Sequence, residues 1–374
     1  MTTLITQWLE WTFLPSNVTY QDIIDVCAKD DHHVTVRPKH ILHFLAFALI
    51  ISVVRRAFEC TVAARLACFM GIKDTRKKPD NVVKLEAAYA EKRSPSDIEL
   101  LEMSKKFDLR ERYVRNWFRL RRNQELPSVV DKFIETSWRF AFYFGSLCFG
   151  LRALSTASWL YDTTECWAGY PNQLVRADMY YYYMMQGGFY ISLLFSITTD
   201  IKRKDFWEMV IHHIATITLI TMSYMANFVR IGTLIIAIHD LSDVFLESAK
   251  LFHYSNFRKS ADSLFACFAV TFLVSRLYVY PCYLLYSSFV ESQMEITQPW
   301  RGVYIFNIFL GVLQALHIYW ASILIRMVYT MIAIGGVEND ARSDVGEEES
   351  EDEQEGDTTQ TPKELNKNGH SPCG

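Results

Sequence analysis

Two adjacent histidines, His212 and His213, lie inside the apolar stretch FWEMVIHHIATITLITMSY. The next apolar stretch, VRIGTLIIAIHDLSDVFLESAK, contains Asp240 and Asp243. Ionisable groups in a membrane span cost about 2.5–3.5 kcal/mol each on insertion scales, so such residues are candidates for function. A neutral imidazole beside a carboxylate can accept a proton from an amine or hydroxyl that attacks an acyl group. The four side chains therefore predict a site for proton abstraction and acyl transfer.

The spacing of these residues favours one shared site. Asp240, Asp243 and Glu247 recur at i, i+3 and i+7, which places them on one face of a helix. His212 and Asp243 each lie seven residues from the charged end of their stretch, or about 10 Å at 1.5 Å per residue. A short turn joins the two stretches, and we expect their helices to pack as antiparallel neighbours with histidines and aspartates in reach of each other.

Two other interpretations of the four residues stay open. Two histidines and two aspartates could bind iron or zinc, but membrane di-iron enzymes use several His-x-x-His-His or His-x₃₋₄-His boxes, which this sequence lacks. We therefore predict no metal ion and no resident cofactor. The four groups could also only join two helices by hydrogen bonds, although four ionisable groups at one depth are costly for a purely structural role.

The composition indicates a membrane protein. Half of the 374 residues are hydrophobic, and long apolar runs alternate with a basic segment and an acidic tail. A helical span needs about 20 apolar residues. We predict an all-α, polytopic membrane helical bundle with about seven transmembrane helices. The predicted spans are 38–57, 137–160, 180–200, 206–225, 229–249, 262–288 and 302–333.

The distribution of Lys and Arg predicts the orientation. Positive charge is concentrated in 55–132, 201–205 and 250–259, whereas the alternate connections 161–178 and 289–300 are nearly free of it. Since positively charged loops stay in the cytosol, we expect a lumenal N-terminus and a cytosolic C-terminus.

Three smaller features follow from this topology. Residues 1–37 form a lumenal N-terminal segment, in which Asn17 of an Asn-Val-Thr sequon can be glycosylated. The run Tyr180–Tyr183 falls at a lumenal helix end and predicts an interfacial aromatic belt. Residues 334–374 are acidic and predict a disordered cytosolic tail, in which Ser350 precedes three acidic residues and is a candidate for phosphorylation.

Residues 73–128 predict a cytosolic segment of three helices, the third of which contains WFRLRR. This run resembles the homeodomain recognition helix, W-F-x-N-R-R. Leu120 stands where homeodomains have the asparagine that reads adenine, and the segment is tethered between two predicted spans. We therefore expect no nucleic-acid binding. A basic face that meets lipid phosphates or a phosphorylated substrate is the preferred interpretation.

The two apolar stretches together, HH-x-x-T followed by HD-x-SD-x-x-LE-x-x-K, closely resemble the longevity-assurance motif of the ceramide synthases, within the TLC-domain family. The resemblance covers 130–333 as the membrane catalytic domain, and the homeobox-like segment is similar to that of animal members. It implies residence in the endoplasmic reticulum membrane. It also implies transfer of a fatty acyl group from acyl-CoA, as co-substrate, to the amine of a sphingoid base, giving ceramide or dihydroceramide.

By position, the resemblance assigns His212 and His213 to the family's essential histidine pair, and Asp240 and Asp243 to its aspartates. Its implied partners are acyl-CoA, the sphingoid base and membrane lipid, and a homo- or heterodimer stays open. A non-enzymatic TLC-domain protein that handles or transports lipid is the alternative. Weaker candidates for substrate binding are Arg276, His317, Lys202, Arg203 and Lys204.

Two further expectations rest on the same resemblance. The loop 286–298 lies where the family sets its preference for acyl-chain length. Ser343 is the serine of an RSD sequence like the family's, but Gly346 stands three residues later where an acidic residue is usual, so Ser343 is a weaker candidate for phosphorylation than Ser350.

Overall fold

A computed structural model describes residues 2–14, 19–22, 33–34, 36–197, 200–201, 204–296 and 301–334. Five predicted sites lie outside the described residues: Asn17, Lys202, Arg203, Ser343 and Ser350. The described residues are almost entirely helical and divide into two units. The first unit contains the described residues up to Asp74 and from Val129 onward, and the second contains residues 75–128.

The first unit begins with three helices: α1 (Thr2–Phe13), α2 (Ile41–Phe58) and α3 (Ala64–Phe69). A 3₁₀ turn precedes α2 and a π-helical turn connects it to α3, so residues Pro38–Phe69 form one long helical stretch. Two short strands, β1 (His33–Val34) and β2 (Val175–Arg176), pair antiparallel, with His33 opposite Arg176.

The second unit is built from α4 (Val83–Glu91), α5 (Asp97–Phe107) and α6 (Glu111–Glu125). Ser96 caps α5: its side chain accepts a hydrogen bond from the backbone of Glu99, and the Glu99 carboxylate accepts one from the backbone of Ser96. Such a capping box satisfies two backbone donors at the helix start. The core of this unit consists of Leu85, Tyr89, Leu100, Val114, Trp117 and Phe118.

The rest of the first unit is a bundle of long helices. They are α7 (Val129–Leu154), α8 (Ala177–Ser196), α9 (Phe206–Met225), α10 (Val229–Tyr254), α11 (Arg258–Leu273) and α13 (Arg301–Ile334), and a short α12 (Ser292–Glu295) precedes α13. Between α11 and α12 the chain continues as π-helix over Val274–Leu285 and Ser287–Glu291.

The packing of α9 and α10 differs from the expectation. The short turn between them is present, with Asn227 at a positive φ of 59°. However, α9 packs chiefly on α8 and α13, whereas α10 packs chiefly on α7 and α11. Side chains from α8, α13 and the π-helical segment are therefore available to lie between the histidines of α9 and the aspartates of α10.

Three described helical stretches are long and apolar enough to cross a membrane, judged by length and composition: Pro38–Phe69, Arg258–Met294 and Gly302–Ala333. They contain the first, sixth and seventh predicted spans, and they make this a helical membrane protein. The other four predicted spans correspond to α7, α8, α9 and α10, which fall outside that set of three.

The tyrosine run at the start of α8 does not form the predicted aromatic belt. Tyr182 and Tyr183 are fully buried and Tyr180 is 9% exposed, and only Tyr181 is open, with 54% of its surface exposed. Successive helical residues are separated by about 100° of rotation, so four consecutive residues surround the helix. The run therefore contributes mainly to the core of the bundle.

Candidate active site

Asp240 is held by two helices other than its own. Its Oδ2 accepts hydrogen bonds from Ser146 Oγ of α7 at 2.5 Å and from Gln186 Nε2 of α8 at 2.7 Å, and the Tyr182 hydroxyl lies 3.4 Å away. The residue is 1% exposed. Its other oxygen, Oδ1, has no hydrogen-bond partner among the described residues. One carboxylate oxygen thus fixes the side chain and the other is unengaged.

Asp243 faces a buried arginine. Nη2 of Arg276, from the π-helical segment, lies 3.6 Å from Asp243 Oδ1 and donates to Ser242 Oγ at 2.8 Å and to the carbonyl of His239 at 3.1 Å. Arg276 is 4% exposed. A buried guanidinium requires such partners because its desolvation is costly. Arg276 therefore connects the π-helical segment to α10 at the level of the aspartates.

Two more histidines complete this buried group. Nδ1 of His239 donates to the carbonyl of Ile235 at 2.6 Å, since a carbonyl can only accept. Nε2 of His239 lies 3.1 Å from Nε2 of His317 on α13, and Nη1 of Arg276 lies 3.2 Å from the same atom of His317. Both weak candidates of the sequence analysis that the structure describes inside the bundle, Arg276 and His317, are thus brought to the aspartates.

His212 and His213 lie together on α9, with ring centroids 5.8 Å apart. His213 is 7% exposed and His212 is partly exposed. The Nδ1 atoms of both rings are buried without a hydrogen-bond partner among the described residues. His212 also packs edge-on against Trp320 of α13, with centroids 5.4 Å apart. Neither imidazole is committed to a structural hydrogen bond through Nδ1, so each can take part in chemistry.

Tyr190 of α8 packs against both histidines and lies within electrostatic range of both aspartates. Its ring centroid lies 6.2 Å from that of His212 and 6.0 Å from that of His213, in edge-on geometry. Its hydroxyl interacts electrostatically with both Asp243 and Asp240. The sequence analysis missed Tyr190 because an isolated tyrosine in an apolar helix gives no pattern. The only signal was its polar group within a predicted span.

A cavity borders this site, and Tyr190 and His239 belong to both. Its polar end is formed by Tyr190, Thr216 and His239, and beyond them the walls are largely apolar. About 40 Å³ of it is available to the centres of water-sized molecules, and the space between atoms is about 460 Å³ when open solvent is included. Seven residues separate Thr216 from Ser223 along the wall, about 10 Å on the helix axis. The other lining residues are Tyr183, Leu219, Ile220, Gly232, Ile235, Ile236, Phe306, Leu310 and Leu313.

The far end of the cavity is closed by a tight contact. The Tyr183 hydroxyl lies 2.9 Å from Ser223 Oγ and 3.2 Å from the carbonyl of Val229, to which it donates. A Cβ atom at Gly232 would lie 1.6 Å from the Tyr183 oxygen. Only glycine therefore allows this hydrogen-bonded group to form beside α10.

A second cluster of charged side chains joins α2, α7 and the residues that follow α8. Asp200 accepts from Arg55 of α2 at 2.7 Å and lies 3.4 Å from Arg139 of α7, and Arg139 forms an ion pair with Glu135 at 2.7 Å. Arg139 also interacts electrostatically with His213. Sequence reasoning missed this cluster because its members are 60 or more residues apart, apart from the pair on α7. Lys204, the remaining predicted cation, is exposed.

No three His, Cys, Asp or Glu side chains in the described part of the chain are placed to hold a metal ion. An imidazole can move a proton or accept an acyl group. The absence of a metal and of a cofactor stays a prediction.

The third helix of the second unit has its arginines engaged within that unit. Arg115 forms ion pairs with Asp97 at 2.5 Å and with Glu111 at 3.0 Å. Arg121 forms one with Glu86 at 3.1 Å. The Arg121 guanidinium also lies 4.9 Å from the centroid of the Tyr89 ring, which is a cation–π contact. These guanidinium groups stabilise the unit itself.

Comparison with known proteins matches two segments of the chain to family models. Residues 132–326 match the model of the TLC domain, and residues 73–125 match that of the homeodomain. The chain is 38% identical to human ceramide synthase 4 over 97% of this chain and 90% of the relative. It is 40% identical to human ceramide synthase 5, over 95% and 89%, and 39% identical to human ceramide synthase 3, over 90% and 87%.

Proposed function

Because the chain belongs to the ceramide synthases, the acyltransferases that carry a TLC domain, we propose that His212, His213, Asp240 and Asp243 form its active site. The enzyme transfers a fatty acyl group from acyl-CoA to the amine of a sphingoid base and releases ceramide or dihydroceramide. The observation that supports the site most strongly is the pair of imidazoles whose buried Nδ1 atoms have no hydrogen-bond partner among the described residues. They lie beside Tyr190, which interacts with both aspartates.

The reaction forms one carbon–nitrogen bond and breaks one carbon–sulfur bond. One imidazole of the pair accepts the acyl group from CoA or removes a proton from the attacking amine. In either route the amine loses one proton and the departing CoA thiolate gains one, and an imidazole of the pair that does not carry the acyl group relays it. Asp243, oriented by Arg276, stabilises the positive charge that develops during the transfer. Asp240, fixed through Oδ2, offers its unengaged Oδ1 on the same face of α10.

The cavity suits the hydrocarbon chain of the acyl group. Its polar end lies at Tyr190, Thr216 and His239, and its apolar walls continue toward Phe306. A fatty acyl chain in this cavity would place its carbonyl at the polar end, beside the histidines. The exposed Lys204, together with Lys202 and Arg203, provides cations for the CoA phosphates at the cytosolic entrance.

Purified protein in detergent, supplied with a long-chain base and a series of acyl-CoAs, tests the function. Mass spectrometry should detect ceramide in excess over the protein, for at least one acyl length. If no combination of base and acyl-CoA gives product, a non-enzymatic protein that handles or transports lipid becomes the better account.

We also propose that the enzyme crosses the endoplasmic reticulum membrane seven times, with a lumenal N-terminus and a cytosolic tail over 334–374. The three apolar stretches account for three crossings. Four more are supported by α7 to α10, since helices of 20 to 26 residues can cross a hydrocarbon core of about 30 Å. Glycosylation of Asn17 and lack of glycosylation at sequons introduced into the tail would support this orientation.

We assign the remaining segments in agreement with this topology. Residues 1–37 are lumenal, 38–57 form the first span, 73–128 are the cytosolic homeobox-like segment and 130–333 are the catalytic domain. Ser350, and less favourably Ser343, are phosphorylation sites in the cytosolic tail. Arg115 and Arg121 form ion pairs within the second unit, and this supports a role for the unit other than reading DNA.

A further inference from the structure

Thr216 has a hydroxyl that the fold leaves unused. It lies four residues after His212 on α9, and its Oγ1 is buried without a hydrogen-bond partner among the described residues. Threonine in a helix commonly donates to the carbonyl four residues earlier. Thr218 on the same helix does so, with its Oγ1 2.8 Å from the carbonyl of Ile214. Thr216 therefore lacks the hydrogen bond to a backbone carbonyl that Thr218 forms on the same helix.

The unused hydroxyl faces the cavity. Thr216 lines the polar end together with Tyr190 and His239, and the walls that follow along α9 are Leu219 and Ile220. A buried hydroxyl without a partner is unfavourable in an apolar setting. Its place at the boundary between the polar end and the apolar walls indicates that a bound molecule supplies the missing acceptor.

The position of Thr216 relative to His212 indicates which atom of the substrate accepts its hydrogen bond. Four residues of helix separate Thr216 from His212, which is about 6 Å along the axis and places both side chains on one face. An acyl chain whose tail follows the apolar walls has only one oxygen at this boundary, the carbonyl oxygen. That oxygen acquires negative charge when the nucleophile adds to the carbonyl carbon.

We propose that the Thr216 hydroxyl donates a hydrogen bond to the carbonyl oxygen of the fatty acyl group and stabilises it in the tetrahedral state. This inference rests on the proposed function and adds to it a catalytic residue that touches the substrate. Thr216 keeps its own proton throughout, so the balance of the transfer is unchanged. A preorganised donor of this kind contributes more to the transition state than to substrate binding.

Thr216→Val tests the proposal, since valine has nearly the same shape without the hydroxyl. Purified variants are compared with the wild type for ceramide formation at saturating acyl-CoA and long-chain base, per amount of monodisperse protein. We expect kcat to fall about 10²-fold, as for the loss of one oxyanion donor, with KM for acyl-CoA changed little. Thr216→Ser should restore most of the turnover. Thr218→Val is the matched control and should resemble the wild type.

The possible results are distinct. Unchanged kcat in Thr216→Val, a change in KM alone, or a loss that serine does not restore would overturn the proposal. If the valine variant is poorly folded, Thr216→Ala takes its place, and it should lose about 10²-fold in kcat while Thr216→Ser keeps most of the turnover. A wild type that forms no ceramide would reject the proposed function itself, and is thus distinguishable from failure of the inference.

Discussion

The guanidinium of Arg276 lies 3.6 Å from the carboxylate of Asp243 inside the bundle. Arg276 belongs to the π-helical segment and Asp243 belongs to α10. The same guanidinium contacts Ser242 and His317. One side chain thus joins the π-helical segment to α10 and α13 at the proposed site. This explains why an arginine is retained in an apolar stretch, where a charged residue is costly.

Arg276→Ala should destabilise the protein by about 1–3 kcal/mol, because it leaves the buried Ser242 hydroxyl and the carbonyl of His239 without their donor. Ceramide formation should fall with it, since Asp243 loses its orientation. Thermal unfolding in detergent measures the first effect. Arg258→Ala, an exposed arginine at the start of α11, is the control and should shift stability by less than about 0.5 kcal/mol. Equal stability of the two variants would contradict the structural role of Arg276.

Gly232→Ala should narrow the closed end of the cavity. The new Cβ would lie 1.6 Å from the Tyr183 oxygen and 2.7 Å from Ser223 Oγ, so these side chains must move. We expect a loss of about 1–3 kcal/mol of stability and a shift of acyl preference toward shorter chains. A competition assay with mixed acyl-CoAs measures the preference.

Gly311→Ala on α13 provides the matched control for that experiment, because its Cβ would have nothing within 4 Å. It should leave both stability and acyl preference near the wild type. An unchanged product distribution in Gly232→Ala would show that the acyl chain does not reach this end of the cavity.

The capping box of α5 predicts a pH dependence in the second unit. The hydrogen bond from Lys92, and then that from the backbone of Ser96, lowers the pKa of Glu99. A carboxyl whose pKa is lowered by folding stabilises the fold above its ordinary pKa, and this contribution is lost as the pH falls through the lowered value. Hydrogen exchange at the first turn of α5, corrected for intrinsic rates, should therefore accelerate at acid pH.

Two variants test that assignment in the intact protein. Glu99→Gln should remove the acid-dependent part of the exchange, and Ser96→Ala should weaken the helix start by about 1 kcal/mol at neutral pH. Glu102→Gln, an exposed residue of the same helix outside the capping box, should behave like the wild type. If Glu102→Gln changes exchange as much as Glu99→Gln, a general charge effect is responsible.

The sequence alone was enough to select His212, His213, Asp240 and Asp243 as candidates, because an ionisable residue is conspicuous in an apolar run. It also drew attention to Arg276 and His317, for the same reason. The capping box at Ser96 was predictable from local sequence, since all its atoms come from four consecutive residues.

Other parts of the site depend on tertiary packing and could not be predicted. Ser146 and Gln186 hold Asp240 from α7 and α8, 94 and 54 residues away in sequence, and neither belongs to a local pattern. The same holds for the pairing of Arg55 with Asp200, 145 residues apart. The packing partners of α9 and α10 were also beyond sequence reasoning, because a short turn specifies which helices are joined and not how far they separate.

The most direct test of the account replaces each histidine of the pair. His212→Ala and His213→Ala, purified in detergent and assayed by mass spectrometry with the best base and acyl-CoA, should each form no ceramide above background while keeping wild-type yield and melting temperature. His253→Ala, an exposed histidine near the end of α10, should retain wild-type activity. Ceramide formation by both single variants at the wild-type rate would contradict the assignment of catalysis to these imidazoles.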